Sequence, residues 1–339
     1  MAEKTSKTGV SVGTREDDGG VQIPAAASVP RGGPMARHAD SEAPSPRVTV
    51  NKAYKMYVGG AFVRSESGRY FQVRGSSVGH DPDPPTVNVP RGSRKDVRDA
   101  VLVAHNAKGS WASRTPFNRG QILYRLAEVM ESRSSELEAS LVRGGTHADD
   151  AATEVDAAID RAVFYAGLAD KVSALVATHN PVSGPHFGFS FPEPMGVIGV
   201  IAPEKPTLLG LLSTVLPVVT TGNTTVALAS ELDPRTAILF CECLATSDFP
   251  GGVINVLTGH PFEIAPIMAK HREVMGMDAW LSDGELRTQI ERLGADSVKR
   301  AKTHAPRELD FWLGEREGQG IGWVEPFLET KTVWHPMGL

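Results

Sequence analysis

Three short runs limit what this chain can fold into more than any other feature: GVIGVIA at 196–202, TTVALAS at 224–230 and GVINVLT at 252–258. Together they are rich in Val and Ile, none carries a charge, and each is followed by a stretch of helical character. A half-exposed strand alternates apolar and polar residues, whereas a continuous apolar run needs cover on both faces. Strand, helix, strand, helix, strand in that order predicts a parallel sheet with helices on both sides. Asp233 as N-cap and Pro234 in the first turn place the start of the second helix. VMGMDAWL, 274–281, is expected to be a fourth strand.

Around this centre the pattern is plainer. YKMYVGGAFVRSESGRYFQV, 54–73, has two β-type runs about Gly and Ser turn residues and predicts a hairpin. Ser93 with Asp96 three residues on predicts a capped helix. Apolar residues at helical spacing predict one helix from Phe117 to Leu141 and another from Val155 to Leu175. In HFGFSFPEP, Phe187, Phe189 and Phe191 fall on one face of a strand. Beyond Asp283 the chain turns polar, with one short helix expected, before FLETKTVWHPMGL suggests a terminal strand. Residues 1–49, short of large apolar groups, are expected to be a disordered tail.

Charge and composition exclude some functions. A net charge of −5 over 339 residues gives no electrostatic reason to expect nucleic acid or an anionic membrane as partner. No apolar stretch reaches the roughly 18 residues of a membrane span. The N-terminal region has no apolar signal core and carries Glu16, Asp17 and Asp18, so a cytoplasmic protein is expected. The two cysteines, Cys241 and Cys243, sit at i and i+2 of a helix and point apart, which predicts structural residues rather than a disulfide or metal grip. The histidines His105, His147, His179, His186, His260, His271, His304 and His335 show no ligand spacing, and no metal site is expected.

The order of the pieces resembles the aldehyde dehydrogenase superfamily. YVGGAFVRSESGRYFQV, FNRGQILYRLAEVMESR, EVDAAIDRAVFYAGLADKV, EPMGVIGVIAP, GNTTVALASELDP and DFPGGVINVLTG follow one another as they do there, from about Tyr54 to about Asp283, and the likeness resumes at FLETKTVW. The closest likeness is to a short branch lacking the catalytic domain and its cysteine. The resemblance implies an α/β fold, with a Rossmann-like NAD(P)-binding domain, helical cover and a small oligomerisation sheet. It also implies boundaries: a tail at 1–49, a cofactor-type domain at 50–290, a truncated linker at 291–325 in place of the catalytic domain, and an oligomerisation strand at 326–339.

Tested residue by residue, the implied chemistry is incomplete. Between Asp283 and Phe327 lie only 43 residues, without a cysteine, where the resemblance implies a domain carrying nucleophile and general base. No catalytic residue is therefore expected. Lys205 stands at the position of the family's oxyanion asparagine, and Leu228 at that of a phosphate- and ribose-directed lysine. Trp280 and Leu281 replace small residues of a glycine-rich turn, which is expected to block close backbone approach to a pyrophosphate. Pro261 and Ala265 replace two glycines after Gly259. Ser230, Glu231 and Gly259 remain as candidate cofactor-binding residues, with a helix-capping or solvated carboxylate as the alternative role for Glu231. No cofactor is expected to be required, and any NAD or NADP binding is expected to be weakened.

The expected function is that of a pseudoenzyme subunit that docks on a complete aldehyde dehydrogenase subunit, or on itself, through Phe327–Trp334 and Phe187–Phe191. The alternatives are an active NAD(P)-dependent aldehyde oxidoreductase, alone or with a partner's cysteine, and a nucleotide-binding regulator. A further alternative is that 327–334 simply closes this chain's own small sheet.

Overall fold

The three apolar runs lie side by side, as their composition demands. In the computed structural model, which describes residues 50, 52–76 and 86–338, every residue of Val197–Ile201, Thr224–Leu228 and Ile254–Leu257 is buried. The chain begins with β1 (Met56–Val58), β2 (Ala61–Val63), β3 (Tyr70–Arg74) and β4 (Thr86–Pro90). Helices α1 (Arg94–Ala112), α2 (Pro116–Ser132), α3 (Ser134–Arg143), α4 (Ala148–Leu168) and α5 (Val172–Val176) follow. Next come β5 (Thr178–Asn180), β6 (His186–Pro194), β7 (Val197–Ile201), α6 (Leu209–Thr220), β8 (Thr224–Leu228) and α7 (Arg235–Thr246). β9 (Ile254–Leu257), α8 (Pro261–Lys270), β10 (Val274–Trp280), α9 (Gly284–Ala295), β11 (Arg300–His304), α10 (Leu309–Leu313) and β12 (Leu328–Pro336) complete it.

The central sheet has the order β11-β10-β7-β8-β9-β1-β2, its first five strands parallel and the β1–β2 hairpin antiparallel at one edge. Alternation along each strand divides the core in two. Ile198, Val200 and Ala227 join one cluster with Leu123 and Leu126 of α2, Val155 of α4 and Val215 of α6. Val197, Ile201, Val226 and Leu228 join the other with Val97 and Val101 of α1, Ile264 and Met268 of α8, and Ile290 of α9. Each such side chain contributes about 1.5–3 kcal/mol on burial. α1 carries the expected capping box, with Ser93 and Asp96 bonded reciprocally. The β1–β2 turn runs through Gly59 and Gly60, both at positive φ, and rests on Gly251, where a Cβ would lie 2.5 Å from Gly59 O.

Several expectations need correction. The hairpin closes within 56–63, whereas β3 pairs with β4 in a separate two-stranded sheet, so 54–73 is not one unit. The helix expected from Phe117 to Leu141 breaks at Arg133 into α2 and α3, and that from Val155 to Leu175 divides into α4 and α5. The largest departure is at 291–325, expected as a linker. It continues the fold: β11 pairs in parallel with β10 from Gly276↔Arg300 to Trp280↔His304. β11 is hard to see in the sequence because RAKTH is polar, as an edge strand can be. Trp312 is wholly buried, and Arg161 of α4, itself 3% exposed, donates to Ser213 Oγ and to the carbonyls of Trp312 (2.7 Å) and Gly318. Residues Val50–Leu339 constitute one compact unit, and the expected tail, 1–49, lies outside the described residues.

A second sheet has the order β12-β6-β5, with β12 antiparallel to β6 along nine pairs from Leu328↔Pro194 to Pro336↔His186. Phe187, Phe189 and Phe191 stack in a row, with centroids 5.5 and 6.1 Å apart. Among the described residues no helix is long and apolar enough to cross a membrane.

Candidate functional site

In a parallel sheet the loops after the strands gather at one edge, where ligands of such folds bind. Here these are the loops after β7, β8, β9, β10 and β11, and they collect Glu204, Lys205, Ser230, Glu231, Gly259, His260 and His304.

Of the three candidate cofactor residues, none is free. Ser230 is 2% exposed; its hydroxyl donates to Glu204 Oε2 at 2.8 Å and accepts from Asp233 N at 3.4 Å. The Glu204 carboxylate also accepts from Leu232 N (2.9 Å) and Glu231 N (3.3 Å), so one acid of the β7 loop organises the whole turn after β8. Glu231 Oε1 lies 2.6 Å from His260 Nδ1, and the imidazole stacks on Phe262 at 5.5 Å. Gly259 has φ +151°, and a Cβ there would lie 3.1 Å from Gly92 N, so the approach of the chain after β4 accounts for this glycine without a ligand. Neither Glu204 nor His260 stands out in the sequence. The signal was spacing: Glu204 and His260 follow β7 and β9, the two strands flanking β8.

The substituted positions are equally committed to the fold. Leu228 is wholly buried between β7 and β9. Trp280 packs among His304, Trp312 and Trp323, with centroids at 4.2, 4.6 and 5.7 Å, while Leu281 is buried in the opposite cluster. The bulk at 280 and 281 is spent inside the protein. At the start of α8, Glu263 pairs with Arg91, which holds its carboxyl below the usual range; that helix end already has an acid of its own. The residues that the resemblance assigns to a dinucleotide, Ser230 and Glu231, thus have partners within the chain that a bound nucleotide would have to displace.

Lys205 is exposed and shares a cavity of about 400 Å³ with His147, Asp150, Glu154 and Arg307. Glu154 is buried, and desolvation pushes its carboxyl up despite the amides of Leu208 (2.7 Å) and Leu209 (3.2 Å) that its Oε1 accepts from. The cavity lining holds no thiol. Cys241 and Cys243 lie in α7, both fully buried and unpaired. Burial pushes the Cys241 thiol well up and that of Cys243 to about 11. No group of three or more metal-ligating side chains occurs among the described residues.

The aldehyde dehydrogenase family matches residues 76–282. A hydroxyisobutyraldehyde dehydrogenase of Mycolicibacterium austroafricanum is 32% identical over 244 residues, 72% of this chain and 47% of that one. An NAD-dependent aldehyde dehydrogenase from Sinorhizobium meliloti superposes with a TM-score of 0.68 at 26% identity, covering 74% of this chain and 50% of that one. The NAD⁺ complex of an aldehyde dehydrogenase from Bacillus cereus gives 0.70 at 23% identity, covering 75% and 51%, a likeness of fold. The chain spans about half the length of the curated relatives it matches.

Proposed function

The chain belongs to the aldehyde dehydrogenase family, and from that premise we propose that it is a pseudoenzyme subunit that docks on a complete aldehyde dehydrogenase to stabilise or regulate it. One observation carries the reading: its only two thiols are sealed in α7 with raised pKa values, and neither faces the sheet edge where an aldehyde and a dinucleotide would meet. Without a thiolate there is no thiohemiacetal and no hydride to pass on. The internal pairing of Ser230 and Glu231 supports the same reading, since a dinucleotide would have to displace Glu204 or His260 to reach them. On this reading no cofactor is required.

The docking surface is the small sheet. β12 pairs with this chain's own β6 along its full length, which leaves the outer edge of β12 without a strand among the described residues. Beyond Leu328, whose carbonyl Arg300 holds, this outer edge, with Trp334 62% exposed, suits addition of a strand from a partner subunit. Native mass spectrometry of the chain purified gently from its own cells tests the proposal. A stoichiometric complex with a larger aldehyde dehydrogenase is expected, dissolved by deleting 330–339, which spares the buried Phe327 and Leu328. A lone monomer overturns it, as does NAD⁺ or NADP⁺ reduction at 340 nm by the chain alone with an aldehyde.

A second reading, a nucleotide-binding regulator, is favoured by the Glu231 side chain, which keeps 36% exposure at the sheet edge. A thermal shift with NAD⁺, NADP⁺ or ADP-ribose supports it, and no shift with any of the three removes it.

A further inference from the structure

The stretch after β10, beyond the family match, encloses a cavity against the end of β10. It measures about 510 Å³, within the range of small-molecule sites, and lies between the ends of β10 and β11 and the turns that follow α10. Rings form much of its lining: Trp280, His304, Phe311 and Trp323. His304 is fixed on two sides, stacked on Trp280 at 4.2 Å and 16°, with Nε2 3.2 Å from the buried carboxylate of Asp278. That contact lacks hydrogen-bond alignment, so Asp278 Oδ1 has no hydrogen-bond donor, and the buried Trp280 Nε1 has no acceptor, among the described residues. Orphaned polar atoms are rare in folded proteins and mark places completed by something else.

Around these rings three cations face two acids. Lys302, Arg307 and Arg316 line the cavity, with Glu317 as the one acid besides Asp278. The Arg307 guanidinium lies over the Phe311 ring at 5.4 Å, a cation presented on an aromatic surface. An aromatic wall suits a planar ring, and an excess of guanidinium suits a carboxylate.

We propose that this cavity is a binding site for a small aromatic carboxylate, its ring against Trp323 and Phe311 and its carboxylate on Arg307. Ser230 and Glu231 are not among the residues lining the cavity, and the proposal stands whether or not the chain docks on a complete enzyme.

Titration of the full chain with benzoate, followed by tryptophan emission, tests this. Trp280, Trp312 and Trp323, three of the five tryptophans, form one cluster at the cavity. A saturable change is expected, weakened roughly tenfold or more by Arg307→Ala, the factor for one charge-assisted hydrogen bond. Arg307 is exposed, so the variant should fold, and Arg125→Ala on the exposed face of α2, outside the cavity lining, should bind as the parent does. Acetate and benzyl alcohol, each bearing half of the chemistry, should each bind at least about tenfold more weakly than benzoate. No saturable response overturns the site. Benzyl alcohol binding as well as benzoate, or Arg307→Ala without effect, overturns the carboxylate assignment. Acetate matching benzoate overturns the aromatic one.

Discussion

Glu231 Oε1 and His260 Nδ1 stand 2.6 Å apart, joining the loop after β8 to the loop after β9 across the sheet edge. Each is the nearest obstacle to the other's use. The carboxylate that the family resemblance assigns to ribose hydroxyls thus contacts an imidazole, and the pair is only partly exposed, at 36% and 19%.

Replacing His260 with Ala should therefore release Glu231 at little cost to the fold. Pairs of this exposure are worth less than about 1 kcal/mol. ADP-ribose affinity, read by thermal shift or calorimetry, is expected to rise by up to about fivefold, the equivalent of that energy. Unchanged or weaker binding would show that the pair does not compete with a nucleotide.

The cysteines should be inert until the protein unfolds. Both lie fully buried in α7, with thiols displaced upward by desolvation. Native-state labelling with a thiol reagent should run at least about a thousandfold slower than for an exposed cysteine, limited by opening of the fold. Rapid labelling of either at neutral pH would restore a candidate nucleophile.

Glu154 should make the protein less stable as pH rises. Burial lifts its folded carboxyl above the usual range, while the unfolded one titrates at its ordinary value. Between the two values the folded state holds a proton that the unfolded state releases, so stability present below the unfolded pKa is lost as pH rises through the folded one. Glu154→Gln keeps a carbonyl for the Leu208 and Leu209 amides and removes this dependence. Urea unfolding from pH 4 to pH 8 should find the variant gaining on the parent as pH rises; a gain on acidification would contradict the assignment.

Arg161 should anchor the segment that carries Trp312 and Gly318 beside the aromatic cavity. Arg161→Met leaves the carbonyls of Trp312 and Gly318 without their buried donor, at a cost of about 3 kcal/mol. Limited proteolysis should then open the chain first between 305 and 327. Cleavage elsewhere, or no loss of stability, would deny the anchor.

What could be read from the sequence followed the strength of local pattern. β7, β8 and β9 were legible because uncharged Val- and Ile-rich runs fit few places, and the α1 cap because Ser93 and Asp96 act over three residues. β11 was not, because polar Arg300, Lys302, Thr303 and His304 leave Ala301 as the one apolar residue of an edge strand. Ser230 and Glu231 were found by their place after a strand, but the groups that occupy them were not, since Glu204 and His260 come from other strands' loops. Trp280 was read as an obstruction in a glycine-type turn. Its partners Trp312 and Trp323 lie more than thirty residues on, and only the fold brings the rings together.

β11 is five residues long, roughly 13 Å from end to end. At its start Arg300 holds the carbonyl of Leu328 and the Glu329 carboxylate at the root of β12. At its finish His304 sits in the aromatic cavity. The proposed docking sheet thus lies at one end of β11 and the proposed small-molecule cavity at the other. Should an occupant of either shift that strand, the linkage is reciprocal, and each occupant would change the affinity for the other by the same factor.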